Sequence, residues 1–305
     1  MDELDMRLAI ELATDTRITF RELAKRLNLS VNAVHKRFKS LQDEGIIYCL
    51  TTTPYPTAVG SSLWLLAANF DSRMEYTIAK TLADEEMAIT VYTTTGNRAY
   101  ILLASIPGED IESAAHSLAE RNNLQDVFLD EIAIPPHKGL LDRTDHCIIS
   151  AMKDDSRRPL QEVSDITGIS MKTLKKRLKR LMEDNLVWMR LKWSPLITGD
   201  FYCLMTATLS DPSRLNEMFN VAKKDCGNNL TSIISFKGNP DQVILSLWGR
   251  RMADIQTCKN RLLVSGLFSD VSYQILTGKE ESDSWLDKVS RNVCSKRNDD
   301  ILQGP

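Results

Sequence analysis

The chain lacks any Cys-x-x-Cys pair and any apolar run long enough to span a bilayer. Its six cysteines, at 49, 147, 203, 226, 258 and 294, are widely scattered. That spacing argues against a disulfide framework and a cysteine zinc site, and it reads as reduced thiols in a cytoplasmic protein. The acidic opening Met1-Asp2-Glu3-Leu4-Asp5 has none of the character of a secretory signal. Apolar runs such as Leu63–Ala68 fall far short of the roughly 20 residues a membrane helix needs. Gly-x-Ser-x-Gly, Gly-x-Gly-x-x-Gly and Walker patterns are absent, which removes the usual grounds for hydrolase, dinucleotide or nucleotide-triphosphate chemistry. Only four histidines occur, at 35, 116, 137 and 146, and none stands at metal-ligand spacing from another or from a cysteine. The expectation is therefore no catalysis, no cofactor and no metal. Cationic excess is missing too: a net charge of −3 argues against a protein coated in nucleic acid and leaves room for a local basic face.

What the chain does have is a repeat. Shifted by 140 residues, positions 4–47 fall on 144–187 without a gap, with nine identities in 44 positions. Asp5, Asp15, Arg17, Glu22, Ser30, Lys36, Arg37, Lys39 and Leu41 meet Asp145, Asp155, Arg157, Glu162, Ser170, Lys176, Arg177, Lys179 and Leu181. Apolar positions match as well, Leu8 with Ile148 and Val34 with Leu174 among them. Each copy is followed by the same expected order of strand, helix, strand, strand, helix, strand, which suggests a ferredoxin-like domain. In the first half these run about 61–70, 73–86, 88–94, 99–105, 110–122 and 126–134; in the second about 201–209, 212–226, 231–237, 242–248, 252–264 and 268–276. Ile134-Pro135-Pro136-His137-Lys138-Gly139 reads as the joint between halves.

Each repeated segment reads as a helix-turn-helix. Leu4, Leu8 and Leu12 make a one-turn stripe. Thr19-Phe20-Arg21-Glu22 has the capping-box pattern, which its counterpart loses because Pro159 replaces Thr19. Asn28 and Gly168 suit the left-handed turn, and Ser30 and Ser170 suit the N-cap of a third helix. At about 100° per residue, Val34, Phe38 and Leu41 fall on one buried face, with Asn32, Lys36 and Lys39 nearly opposite and His35 and Ser40 beside them. The second outward set is Lys172, Lys176 and Lys179, with Thr173, Lys175 and Arg180 around it. Isolated lysines usually form a solvated helix face. On the third helix of a tri-helical unit they suit the major groove of double-stranded DNA. Residues 143–193 hold twelve Lys+Arg against seven Asp+Glu, whereas residues 1–50 hold eight of each, so the second copy is expected to supply more of the phosphate affinity. Asn32 and His35 of the first copy are expected to contribute more base readout. Arg37 and Arg177 lie between core and surface. Arg17 with Asp15, and Arg157 with Asp155, are expected to form first-turn ion pairs.

Leu4-Asp5, Asp15-x-Arg17, Glu22-Leu23-Ala24-Lys25-Arg26-Leu27, Ser30, Val34-x2-Arg37 and Leu41-x3-Gly45-Ile46-Ile47 resemble the DNA-binding domain of the Lrp/AsnC (feast/famine) regulators. The second copy is a looser match, and the two β-α-β-β-α-β segments resemble the family's effector-sensing domain in element order. The resemblance implies an α+β chain: a winged helix-turn-helix at 1–50, a ferredoxin-like sensing domain at 51–135, and a second pair at 136–193 and 194–280. The tail at 281–305, which mixes charge with few large apolar residues after Trp285 and Leu286, is expected to be a short helix at most and otherwise largely flexible. Family members carry one unit and dimerise through their sensing domains, so two units imply an intramolecular pseudo-dimer with its sheets packed on each other. It would carry two unequal DNA-reading heads and could assemble further into homo-oligomers. The resemblance also implies an amino-acid-like small effector at a Gly-x-x-Asp loop. Gly238-Asn239-Pro240-Asp241 keeps that form and Gly96-Asn97-Arg98-Ala99 lacks the acid. Glycine and asparagine equally suit plain hairpin turns, and both readings stand at Gly238 and Asp241.

Two rival readings remain. Haem-pathway (sirohaem-type) tetrapyrrole decarboxylases share the Lrp/AsnC fold, but they call for basic and histidine residues in the sensing-domain cleft, and the expected strands carry no histidine. A metabolite-binding module that has lost DNA binding is the other.

Overall fold

The computed structural model describes residues 1–286. The first half runs through α1 (Glu3–Thr14), α2 (Phe20–Leu27), α3 (Val31–Asp43), β1 (Ile47–Pro54), β2 (Leu63–Asn69), α4 (Ile78–Ala83), β3 (Ala88–Thr94), β4 (Arg98–Ala104), α5 (Ile111–Arg121) and β5 (Gln125–Glu131). The second repeats that order with α6 (Arg143–Ala151), α7 (Leu160–Thr167), α8 (Met171–Glu183), β6 (Val187–Trp193), β7 (Phe201–Leu209), α9 (Leu215–Cys226), β8 (Leu230–Ser235), β9 (Gln242–Gly249), α10 (Met252–Val264) and β10 (Phe268–Glu281). The helix expected over 73–86 is shorter, a 3-10 turn at Ser72–Met74 followed by α4.

The repeat governs local structure down to the caps. The Asp2 carboxylate accepts the Asp5 N–H at 2.9 Å while Asp5 accepts that of Asp2, and 140 residues later Asp142 and Asp145 do the same. These reciprocal boxes satisfy amides that the first helical turn leaves without partners. Asn28 (φ 55°) and Gly168 (φ 69°) take the left-handed conformation that reverses the chain between the second and third helices. Leu8, Leu12, Leu23, Val34 and Leu41 close one helical core, and Ile148, Met152, Val163, Leu174 and Leu181 close the other. Each such side chain, fully buried, contributes on the order of 1.5–3 kcal/mol.

Neither helical unit builds a hairpin of its own. Gly45 (φ 71°) and Asn185 (φ 53°) turn the chain into β1 and β6. These two strands then pair with each other, antiparallel, from Leu50↔Leu191 to Pro54↔Val187. The heads therefore share a two-stranded ribbon.

The remaining strands form one eight-stranded sheet in the order β5-β2-β4-β3-β10-β7-β9-β8. The expected packing of the two halves' sheets on each other is present, with Leu65, Ile89 and Tyr100 of one half and Tyr202, Leu204 and Ile244 of the other in one core cluster, and the halves are joined edge to edge as well. The fourteen-residue β10 makes the joint, pairing with β7 over its first part and with β3 (Leu276↔Thr94, Glu280↔Val91) over its second. The free edges also meet. Ala133 N–H donates to the Ser235 carbonyl and Lys237 N–H to the Glu131 carbonyl, each at 2.9 Å, so the sheet's two ends meet at a single bridge, Ile132 opposite Phe236, and the sheet curls into a barrel. Outside, Ile78, Leu82 and Leu118 cover one half and Met218, Ile255 and Leu262 the other. Inside lie Leu65, Ile89, Tyr202, Ile244 and Trp248.

The expected flexible tail needs correction at its start. Glu281 ends β10, and Trp285 (0% exposed) and Leu286 (6%) belong to the core cluster inside the barrel. Residues 287–305 of that expectation lie outside the described residues. Among the described residues no helix is long and apolar enough to cross a membrane.

Candidate nucleic-acid interface

The third helix of each unit is held from beneath and capped at its start. The Ser30 hydroxyl accepts the Ala33 N–H at 3.1 Å, and the Ser170 hydroxyl accepts the Thr173 N–H at 3.4 Å while donating to the Thr173 hydroxyl at 3.0 Å. Val34 and Leu41 anchor α3; Leu174, Leu178 and Leu181 anchor α8. With those faces fixed, Asn32, His35, Lys36, Lys39 and Ser40 stand exposed on α3, as do Lys172, Thr173, Lys175, Lys176 and Lys179 on α8. His35 rests on the Phe20 ring, with centroids 4.1 Å apart, and Ser40 donates to the Glu44 carboxylate at 2.7 Å. Lys179 pairs with Glu183 at 3.6 Å, an exposed contact that adds little stability. Lys172, Thr173, Lys176 and Lys179 line one open groove.

Arg180 lines the same groove, and its guanidinium also pairs with the fully buried Asp145 carboxylate, which ties it to the fold as well as to the outer face. Asp145 also receives Arg177 at 3.0 Å, and Arg177 reaches Asp142 at 2.6 Å. The first unit has the same clasp: Arg37 binds Asp2 at 2.7 Å and Asp5 at 2.6 Å. Hydrogen bonding from Arg177 holds the Asp142 carboxyl below its usual range. Arg37 and Arg177 thus bind the third helix to the cap of the first.

Arg17 and Arg157 depart from expectation as well. Asp15 and Asp155 accept the backbone N–H of Arg17 and Arg157, at 2.9 and 2.8 Å. The guanidinium groups instead cross to the other repeat: Arg17 donates to the carbonyls of Ser156 and Arg158, and Arg157 donates to Thr16 and Ile18 at 2.7 and 2.8 Å. These bonds and the β1–β6 ribbon set the spacing of the two third helices. The 140-residue equivalence of the arginines was visible in sequence; the crossing was not.

At the expected effector loop the structure places a carboxylate from the other half. Asp130, 5% exposed on β5, accepts the Gly238 N–H at 2.9 Å, the Asn239 N–H at 2.8 Å and the Asn239 side-chain amide at 2.7 Å. Gly238 is therefore already engaged. The Asp241 carbonyl accepts the Leu209 N–H at 2.7 Å. Beside this loop, between the halves, opens a cavity of about 500 Å³ lined by Arg98, Tyr100, Phe128, Phe236, Gln242 and Gln274. Tyr100 and Thr94 both donate to the Gln274 side-chain oxygen there, at 3.1 and 2.9 Å.

Comparison with known proteins agrees with the helical units. The AsnC-type helix-turn-helix domain matches twice, at residues 1–42 and 141–182. The chain is 32% identical over 123 residues to the HTH-type transcriptional regulator LrpA of Pyrococcus horikoshii, a match covering 40% of this chain and 85% of that protein. It is 32% identical over 108 residues to LrpA of Mycobacterium tuberculosis, covering 35% and 72%. Among solved structures, the siroheme decarboxylase NirDL matches with a TM-score of 0.62 at 13% identity, over 97% of this chain and 100% of that one. That finding overturns the expectation that the chain is no enzyme, since the fold it shares along nearly its whole length is that of a decarboxylase. At such low identity the likeness speaks for the fold, including its tandem arrangement. With two AsnC-type domains at the repeat spacing and regulators matched over most of their length, the chain belongs to the Lrp/AsnC family, in a form that carries the family's unit twice.

Proposed function

We propose that the chain is a sequence-specific DNA-binding transcriptional regulator that reads two adjacent major grooves with α3 and α8. The carrying observation is the outer face of α8, where Lys172, Lys175 and Lys176 are exposed and fixed in direction by Leu174, Leu178 and Leu181 beneath. A rigid cationic helix of this kind fits a groove of about 12 Å. Lys172, Lys176 and Lys179 supply phosphate affinity, while Asn32 and His35 read base edges on the first half-site. Ser30, Lys36, Lys39 and Ser40 flank that readout, and Ser170, Thr173 and Lys175 flank the second. Unequal heads imply an asymmetric operator. Free Cys49, Cys147, Cys203, Cys226 and Cys258 suit a reducing cytoplasm. An amino-acid-like effector would take the cavity beside Gln242 rather than Gly238 and Asp241, because Asp130 already holds that loop. Genome-wide mapping of the protein on DNA tests the reading: discrete sites sharing an asymmetric motif support it, and occupancy no different from an untagged control rejects it.

A second reading follows from the fold shared with NirDL, a siroheme decarboxylase by name. Incubation with an iron tetrapyrrole carrying acetate side chains, followed by mass spectrometry, tests it: loss of carboxylate mass supports decarboxylation, and unchanged mass rejects it.

A further inference from the structure

Residues Ser282–Leu286 extend beyond the last strand of the repeat and close a groove between the shared ribbon and the barrel. The Ser282 N–H donates to the Ile89 carbonyl on β3 at 2.9 Å, which lays the segment along the barrel. Trp285 is fully buried in the cluster that contains Met6 of α1 and Tyr202 of the barrel, with Trp188 and Trp193 of β6 packed against it. Alternation along β6 puts Trp188, Arg190 and Lys192 on one face. From that face Arg190 reaches one oxygen of Asp283 at 2.7 Å and Lys192 the other at 2.5 Å. The cations are nearly enclosed, with side chains 10% and 12% exposed, and Arg190 also lies 4.8 Å from the centre of the Trp188 ring.

With the segment in place the two enclosed cations call for a counter-charge, which Asp283 supplies. The segment satisfies the groove incompletely. Arg190 Nε, Trp285 Nε1 and the hydroxyl of Thr51, which pairs directly with Arg190 across the ribbon, are all buried with no hydrogen-bond partner. Buried polar atoms are rarely left so, and those of Thr51 and Arg190 belong to residues directly opposite each other on the ribbon.

We propose that the groove walled by Thr51, Trp188, Arg190 and Lys192 is a binding site for an aromatic carboxylate, and that Ser282–Leu286 is its internal, displaceable occupant. Asp283 stands where the ligand's carboxylate would sit and Trp285 where its ring would sit. A ligand with a further polar atom would also engage Thr51 Oγ1 and Arg190 Nε. The site is separate from the DNA-reading faces and does not depend on them.

The test uses the full-length chain and indoleacetate, a probe with one ring and one carboxylate, titrated by calorimetry. The wild type should bind it weakly or not at all, and Trp285→Ala should bind one equivalent. Adding Arg190→Gln and Lys192→Gln to that variant should weaken binding about tenfold or more, as loss of charge-assisted hydrogen bonds requires. If Trp285→Ala fails to give a cooperative melt, Asp283→Asn decides, because it frees both cations and keeps the ring; it should bind the probe about tenfold more tightly than wild type on the same grounds. Folded variants that bind no better than wild type, or binding indifferent to Arg190 and Lys192, would overturn the proposal.

Discussion

Arg17 and Arg157, equivalent residues of the two repeats, each donate from Nη1 to two backbone carbonyls of the opposite helical unit. Arg157 also lies over the Phe20 ring, 4.6 Å from its centre. Guanidinium groups suit this role because their charge survives partial burial. Arg157→Ala leaves the Thr16 and Ile18 carbonyls without these donors and should destabilise the chain by about 2–4 kcal/mol. Thermal unfolding of the variant checks this, and an unchanged melting temperature would contradict the clamp.

The loop at Gly238 and the strand carrying Asp130 form the second cross-repeat lock. A Cβ at Gly238 would stand 2.8 Å from the nearer Asp130 oxygen, so Gly238→Ala must displace the carboxylate. Asp130→Ala leaves three donors of Gly238 and Asn239 unserved from the other side. Each change should cost about 1–3 kcal/mol, and the double variant should cost far less than their sum, because both break the same bonds. Additive losses in denaturant unfolding would show that the two residues act independently.

Acid sensitivity should concentrate in part at Asp283. Burial raises its carboxyl, but the hydrogen bond from Lys192 and the charges of Lys192 and Arg190 outweigh burial and hold it below the usual range. A carboxyl depressed in the folded state contributes stability above its unfolded value, about 3.9, and that contribution disappears as pH falls through the folded value. Asp283→Asn should therefore cost about 1–2 kcal/mol at neutral pH, with the difference from wild type shrinking below about pH 4. A difference constant with pH would exclude the ion pairs as its origin.

The caps yield a smaller, sharper expectation. Thr19 accepts the Glu22 N–H at 3.1 Å at the start of α2, whereas Pro159 offers α7 no side-chain acceptor. Thr19→Ala should destabilise by about 1 kcal/mol, while Pro159→Ala should lose no cap at all. Unfolding by urea separates the two.

Much of this was legible in the sequence because it is local. The 140-residue offset, the left-handed turns at Asn28 and Gly168, the caps at Ser30 and Ser170 and the outward lysines all follow from helix geometry over a few residues. What was not legible depends on contacts between distant segments. Pairing of Thr94 with Leu276 and of Ile132 with Phe236 turns two expected sheets into one barrel, and no short-range pattern announces it. Asp130 looks like any polar strand residue until Gly238 arrives from the other half. Arg180 shares the angular position of a groove-facing side chain, yet its length lets it reach Asp145. The tail did carry a signal: Trp285 and Leu286 are its first large apolar residues, and they are buried.

The most direct test of the DNA-binding account is the salt dependence of binding to fragments of the protein's own promoter region, measured by fluorescence anisotropy for wild type and for Lys176→Glu/Lys179→Glu. Each neutralised phosphate contributes about 0.9 to the slope of log affinity against log salt, so the variant should bind more weakly with a slope shallower by about two. An unchanged slope would contradict the placement of α8 against the phosphate backbone.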